Sequence, residues 1–264
     1  MTRLRILALG TGLLLGAGVT VAIAGTPFGG DDAGTIPSGK ATLKCESSIS
    51  KAVGTAVGCI GTCTLSRSSG KFPDDTTEDN CEKTLAGKSC LEKFAAAAAK
   101  AQTGDPSMTG CGCVDVATLK TVIEADLDSM NNAVYCDTTS GTPFGGDDTG
   151  DLPVAKSLTA KCEDGVNKLV GKAVACVIKC HISRASGKLA DDTAEDACEK
   201  NNAGKSCLEK FTAGVTKAQS KDTSGGCNCI INSGPSSLAT TIESVLDSGN
   251  GLTWCGSPSG AFVE

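Results

Sequence analysis

"KCESSISKAVGTAVGCIGTCTLSRSSGKFPDDTTEDNCEK" runs from Lys44 to Lys83, and "KCEDGVNKLVGKAVACVIKCHISRASGKLADDTAEDACEK" runs from Lys161 to Lys200. The two align without a gap at a constant shift of 117 residues, and the register holds as far as Phe94 and Phe211 with about six positions in ten identical. Such agreement is duplication, not compositional bias. Cys45, Cys59, Cys63, Cys81, Cys90, Cys111, Cys113 and Cys136 recur as Cys162, Cys176, Cys180, Cys198, Cys207, Cys227, Cys229 and Cys255, and the first four spacings (14, 4, 18, 9) are the same in both copies. Because all eight are matched, each copy is expected to close its own four disulfides and fold as its own domain.

The duplication extends outward from the quoted stretch. "GTPFGGDDAGTIPSG" from Gly25 reappears as "GTPFGGDDTGDLPVA" from Gly141. Its Gly, Pro and Asp content reads as a leader before the first copy and a linker before the second. The resulting division is an export signal at 1–24, a leader at 25–40, a helical Cys-rich repeat at 41–137, a linker at 138–157, a second repeat at 158–256 and a tail at 257–264.

Within the unit, Ile49, Val53, Ala56, Val57, Ile60 and Cys63 fall at three-to-four spacing and predict an amphipathic helix over Thr42 to Leu65. Gly54, Gly58 and Gly61 weaken it but permit close approach of a neighbour. Gly70 and Pro73 end it; Asp75 with Glu78, and Asp192 with Glu195, read as capping boxes that restart the chain, so the acidic cluster "DDTTED" is taken as helix initiation instead of a calcium site. Ser89 and Glu92 offer a second box before "CLEKFAAAAAKAQ", and a last helix carries Val116, Leu119, Val122, Ile123, Leu127, Met130 and Val134 on one face; its counterpart starts at Leu238. No alternating run is long enough for a sheet. The expected fold class is all-α, two tandem disulfide-stapled bundles of three to four helices. A hairpin turning near Lys71 pairs Cys63 with Cys81 and suggests Cys59 with Cys90; the partners of Cys45, Cys111, Cys113 and Cys136 stay open.

The first 24 residues set Arg3 and Arg5 ahead of an apolar run that closes on Ala22-Ile23-Ala24, the pattern of a cleaved export signal. Its removal takes the formal charge from -6 to -8 and leaves no later stretch apolar enough to span a bilayer. Sixteen cysteines in an exported chain point to disulfides in an extracellular or periplasmic compartment, so all sixteen are assigned as structural. Net acidity without a basic stripe argues against nucleic acid as a partner.

Cys176-Val177-Ile178-Lys179-Cys180-His181 resembles a c-type haem attachment site with one extra residue, but the first copy has Thr64 where His181, the chain's single histidine, stands. Paired cysteines one helical turn apart, with Cys111-Gly112-Cys113, resemble exported copper-storing helical bundles, which imply reduced thiolates. Eight cysteines, small helices and a Cys-x-Cys are similar to plant lipid-transfer proteins, a resemblance that implies an apolar tunnel, although their adjacent Cys-Cys is missing. The segments Gly29–Asp32 and Gly145–Asp148 offer paired carboxylates to a divalent ion, or simply solvated turns. Tyr135 and Trp254 precede the final cysteines and are expected to pack on them. No nucleophile or acid-base pair is legible, so no catalytic, cofactor or metal residue is assigned. The reading is a secreted, non-catalytic structural or interaction module with an unidentified protein or surface partner. A carrier of a lipid or small apolar ligand and a thiolate copper binder are its alternatives.

Overall fold

The computed structural model describes residues 25–105 and 111–255; the segment 1–24 expected as an export signal and the 257–264 tail lie outside them. The described chain is mostly helical, with two short β-hairpins. Hairpin β1 (Thr26–Gly29) and β2 (Asp32–Ile36) leads into α1 (Lys40–Ser68), α2 (Asp75–Asp79), α3 (Cys90–Thr103) and α4 (Val116–Met130). Hairpin β3 (Thr142–Gly145) and β4 (Asp148–Leu152) then leads into α5 (Leu158–Ala185), α6 (Asp192–Glu199), α7 (Cys207–Gln219) and α8 (Leu238–Asn250).

α1 is longer than the apolar periodicity implies and buries Ile49, Val57, Ile60 and Cys63 as that pattern requires. α2 is capped by Asp74, whose side chain accepts from the Thr77 N–H at 2.8 Å, and α6 by Asp191, which accepts from the Ala194 N–H at 2.9 Å. The cap therefore stands one residue earlier than Asp75 and Asp192, and Glu78 and Glu195, freed from capping, turn inward and are buried. Ser206 and Glu209 form a full capping box ahead of α7, while Ser89 accepts from the Glu92 N–H ahead of α3.

All sixteen cysteines are paired. Cys45–Cys111, Cys59–Cys90 and Cys63–Cys81 close within the first half, and Cys162–Cys227, Cys176–Cys207 and Cys180–Cys198 within the second. The expected fourth bridge within each copy does not form. Cys113 instead joins Cys255, and Cys136 joins Cys229, so two disulfides cross between the halves. The physical reason is the antiparallel contact of α1 with α5. A methyl added to Gly171 would lie 3.5 Å from the Gly58 Cα, and the Asn167 amide donates to the Gly61 carbonyl at 2.9 Å, so two small-residue faces bring the backbones together. That crossing places the end of each half beside the Cys-x-Cys of the other.

The two Gly/Pro/Asp segments are not open linkers but hairpins, too short to show strand alternation. Hairpin β1–β2 docks on the second half: the Thr35 N–H donates to the Trp254 carbonyl at 2.8 Å, the Asn250 amide to the Ala33 carbonyl at 3.0 Å, and Phe28 is buried against Trp254 with ring centroids 5.3 Å apart. Hairpin β3–β4 docks on the first half in the same manner, through Asp151 N–H to the Tyr135 carbonyl at 2.9 Å, Asn131 to the Thr149 carbonyl at 3.0 Å, and Phe144 against Tyr135 at 5.1 Å. Gly34 and Gly150 sit at φ +101 and +97, where a Cβ would come within 2.8 Å and 2.6 Å of those same carbonyls. Tyr135 and Trp254 thus pack on the hairpin phenylalanines and are fully buried.

Candidate functional site

Where α1 and α5 cross, α4 and α8 flank them and leave an apolar cleft between the halves. Val53, Val57 and Ile123 line it from the first half, Val174, Ile178 and Ile242 from the second, and its cavity measures about 100 Å³. The wall is almost entirely carbon because the two helical stripes that face each other are Val, Ile and Leu. Gly249 also faces this space, and a Cβ there would touch nothing within 4 Å; the first half has Met130 at the matching place. A largely carbon-lined cavity of this size is comparable to one that accepts a single aromatic ring, and it is well below the roughly 300–1,000 Å³ of a drug-sized pocket.

One end of the cleft is bounded by His181 of α5, 2% exposed. Its Nε2 lies 3.0 Å from Glu199 Oε1, 3.1 Å from Asp32 Oδ1 and 3.7 Å from Asp247 Oδ1. Asp32 comes from the turn end of β2, Glu199 from α6 and Asp247 from α8, so three segments distant in sequence converge on one imidazole. Glu195, one turn before Glu199, is fully buried beside them, with Arg184 Nε 3.9 Å away, and the donor atoms of Asp32, His181 and Glu195 lie within 4.8 Å of one another. Burial pushes Glu195 up to about 9, helped by Asp32, and Glu199 to about 7 against the pull of His181. Burial alone would lower the His181 imidazole; the carboxylates of Asp247, Asp32 and Glu199 outweigh it and hold it well above its ordinary value.

The first half repeats this arrangement without the imidazole. Glu78, Glu82 and Asp128 occupy the matching helix positions, Asp148 comes from the second hairpin, and Thr64 replaces His181, its hydroxyl 3.5 Å from Glu82 Oε1. Burial is the main cause that raises Glu82 to about 10, Glu78 to about 8, Asp128 to about 7 and Asp148 to about 6. Outside each cluster a lysine closes the hairpin down. Lys83 bridges Asp79 at 3.0 Å, Glu124 at 2.9 Å and Asp147, and Lys200 bridges Asp31 at 2.7 Å, Glu243 at 2.8 Å and Asp196 at 3.0 Å.

Of the residues singled out in the sequence, Asp31 and Asp147 of the GGDD segments are exposed lysine partners, whereas the neighbouring Asp32 and Asp148 point inward. Cys176 and Cys180 are bound to Cys207 and Cys198 and leave no thiol for a haem thioether. The paired cysteines likewise present no thiolate to copper. Sequence reasoning missed Glu78, Glu82, Asp128, Glu195, Glu199 and Asp247 as inward-facing groups. The available signal was the identity of Glu82 with Glu199 and of Asp128 with Asp247 at matched positions of the two halves, which capping does not demand. No helix among the described residues is long and apolar enough to cross a membrane. Comparison of the chain with protein families, with curated proteins and with solved structures found no match in any of the three.

Proposed function

We propose that this chain is an exported, non-catalytic binding module, made of a duplicated helical unit whose copies interlock, and that it takes a small apolar ligand in the cleft between them. The observation that carries the reading is the carbon-walled cavity of about 100 Å³ lined by both halves. Its volume suits one aromatic ring or a short alkyl chain and argues against a whole lipid. The fully paired cysteines are compatible with the oxidising compartment that an export signal implies.

The test adds toluene or 1-hexanol to the mature protein while methyl resonances of Val57, Ile123, Val174 and Ile242 are followed by NMR. Saturable shifts confined to these methyls, with a rise in Tm, are expected. Gly249→Met places the first half's own side chain into the cleft; it is expected to stabilise α8 by about 0.5–1 kcal/mol and to abolish the ligand-induced shifts. Absence of any saturable shift with either compound in the wild-type protein overturns the reading.

A further inference from the structure

The cluster around His181 carries an inference independent of the cleft. Four atoms meet there: His181 Nε2, Asp32 Oδ1, Glu199 Oε1 and Asp247 Oδ1. All four are buried, and beyond their contacts with one another none of them has a hydrogen-bond partner in the protein. Both carboxylate oxygens of Glu195, fully buried, are also without a donor. Buried polar atoms are nearly always satisfied, so a group of orphans converging on one point requires a bonding partner there. A proton on His181 supplies it for only part of the group. Nε2 holds one proton, which serves one acceptor, and three carboxylate oxygens surround it.

The separations fit a different occupant. With metal–ligand bonds of about 2.1 Å, neighbouring donors stand about 3.0 Å apart in octahedral and about 3.4 Å apart in tetrahedral coordination. Two of the nitrogen-to-oxygen separations, 3.0 and 3.1 Å, match octahedral neighbours as well as they match hydrogen bonds, and the third, 3.7 Å, has to close on binding. Charge agrees. The carboxylates of Asp32, Glu199 and Asp247 bring up to three negative charges to a buried place; an imidazolium offsets one of them, and a dication bound in exchange for its proton offsets two.

We propose that His181, Asp32, Glu199 and Asp247 form a binding site for one divalent first-row transition-metal ion. The single imidazole sets the class: carboxylates alone suit magnesium, calcium or manganese, and a nitrogen donor moves the preference toward zinc, cobalt and iron. Thr64 denies that nitrogen to the first half, so the site belongs to the second half alone. Asp32 is supplied by the N-terminal hairpin, so the ion ties that hairpin to α5, α6 and α8.

The experiment uses the mature protein with its disulfides intact, stripped with a chelator and dialysed against Zn²⁺, Co²⁺ or Ca²⁺. One Zn²⁺ or Co²⁺ per chain is expected to survive desalting, Co²⁺ with a visible ligand-field band, and Ca²⁺ is expected to bind at least tenfold more weakly. Two variants separate the site from general destabilisation. Asp32→Asn keeps the hairpin's shape, and His181→Thr installs the residue of the first half. Each is expected to weaken Co²⁺ binding by a hundredfold or so while circular dichroism stays that of the wild type. If a variant does not fold, NMR of the wild-type imidazole decides: Zn²⁺ must displace the Nε2 proton. Failure of the wild type to retain Zn²⁺ or Co²⁺, tighter binding of Ca²⁺, unchanged affinity in both variants, or an Nε2 proton that persists in saturating Zn²⁺ each overturns the proposal.

Discussion

Replacing Cys113 and Cys255 together by alanine tests the interlocked connectivity directly. The two cysteines are 142 residues apart in sequence, but with Cys136–Cys229 in place the shorter covalent path runs 23 residues along one side and 26 along the other. In the chain-entropy account a closed loop of about 50 residues restrains the unfolded chain by about 4 kcal/mol. The local pair Cys63–Cys81, shortened in the same way through Cys59–Cys90, closes only about 13 residues and contributes about 3 kcal/mol. Trp254, the chain's single tryptophan, is fully buried beside Cys255 and reports unfolding by fluorescence in a guanidinium titration. The double variant is expected to lose about 4 kcal/mol, more than the Cys63→Ala/Cys81→Ala protein loses. It is also expected to contain no free thiol, because both members of one bridge have gone. If each half instead closed its own fourth bridge, the same substitutions would strand Cys136 and Cys229. Two titratable thiols in the folded variant, or a peptide joining Cys113 to Cys136, therefore refute the crossed arrangement.

Phe28→Ala is expected to cost about 3–5 kcal/mol, since Phe28 is fully buried, and to shift Trp254 emission to the red as the first hairpin loosens; unchanged emission counts against the docking. Gly150→Val combines a strained positive φ with a Cβ 2.6 Å from the Tyr135 carbonyl, and a fall in Tm is expected that Gly145→Val, whose Cβ meets nothing, does not reach. The first-half cluster gives a pH dependence whose sign is fixed by linkage. Burial raises Asp148, Asp128 and Glu78 to about 6, about 7 and about 8, above their unfolded values, so the native state holds more protons than the unfolded chain. Stability is fullest below the ordinary carboxylate range and declines as pH rises through those values. In denaturant titrations across that window Glu82→Gln, which removes a buried carboxyl that the native state keeps protonated and the unfolded chain ionises, should flatten the decline; a slope steeper than that of the wild type would contradict the cause assigned.

Much of the helical content was legible because burial imposes a period. Ile49, Val57, Ile60 and Cys63 had to share one face, and Cys63 with Cys81 followed from a turn near Lys71. The hairpins were not legible, since each strand has four or five residues and only Phe28 or Phe144 anchors it, too few for a period of two to be visible. The crossed bridges were hidden for another reason: spacing constrains partners that are neighbours along the chain, whereas Cys113 meets Cys255 only because α1 and α5 pack antiparallel through Gly58 and Gly171. The inward acids were obscured by a competing local rule. Asp75 with Glu78 satisfies the spacing of a capping box, and only the three-dimensional cap on Asp74 releases Glu78 to the interior.

The repeated opening phrase now has a physical reason. Each hairpin lies before the helices of one half and docks on the helices of the other, so a single half cannot complete itself. It would leave Tyr135 without Phe144, Cys113 and Cys136 without Cys255 and Cys229, and the glycine face of α1 without α5. The two halves together meet all these needs at once, because the N-terminal hairpin closes the second half as the middle hairpin closes the first. The features with chemical potential arise from that closure and from nothing within one unit. The cleft exists only where the apolar faces of both halves meet, and the His181 cluster is complete only when Asp32, 149 positions earlier in the chain, is folded onto it. A change that opens the ring at the first hairpin therefore dismantles the His181 cluster before it disturbs either helical core.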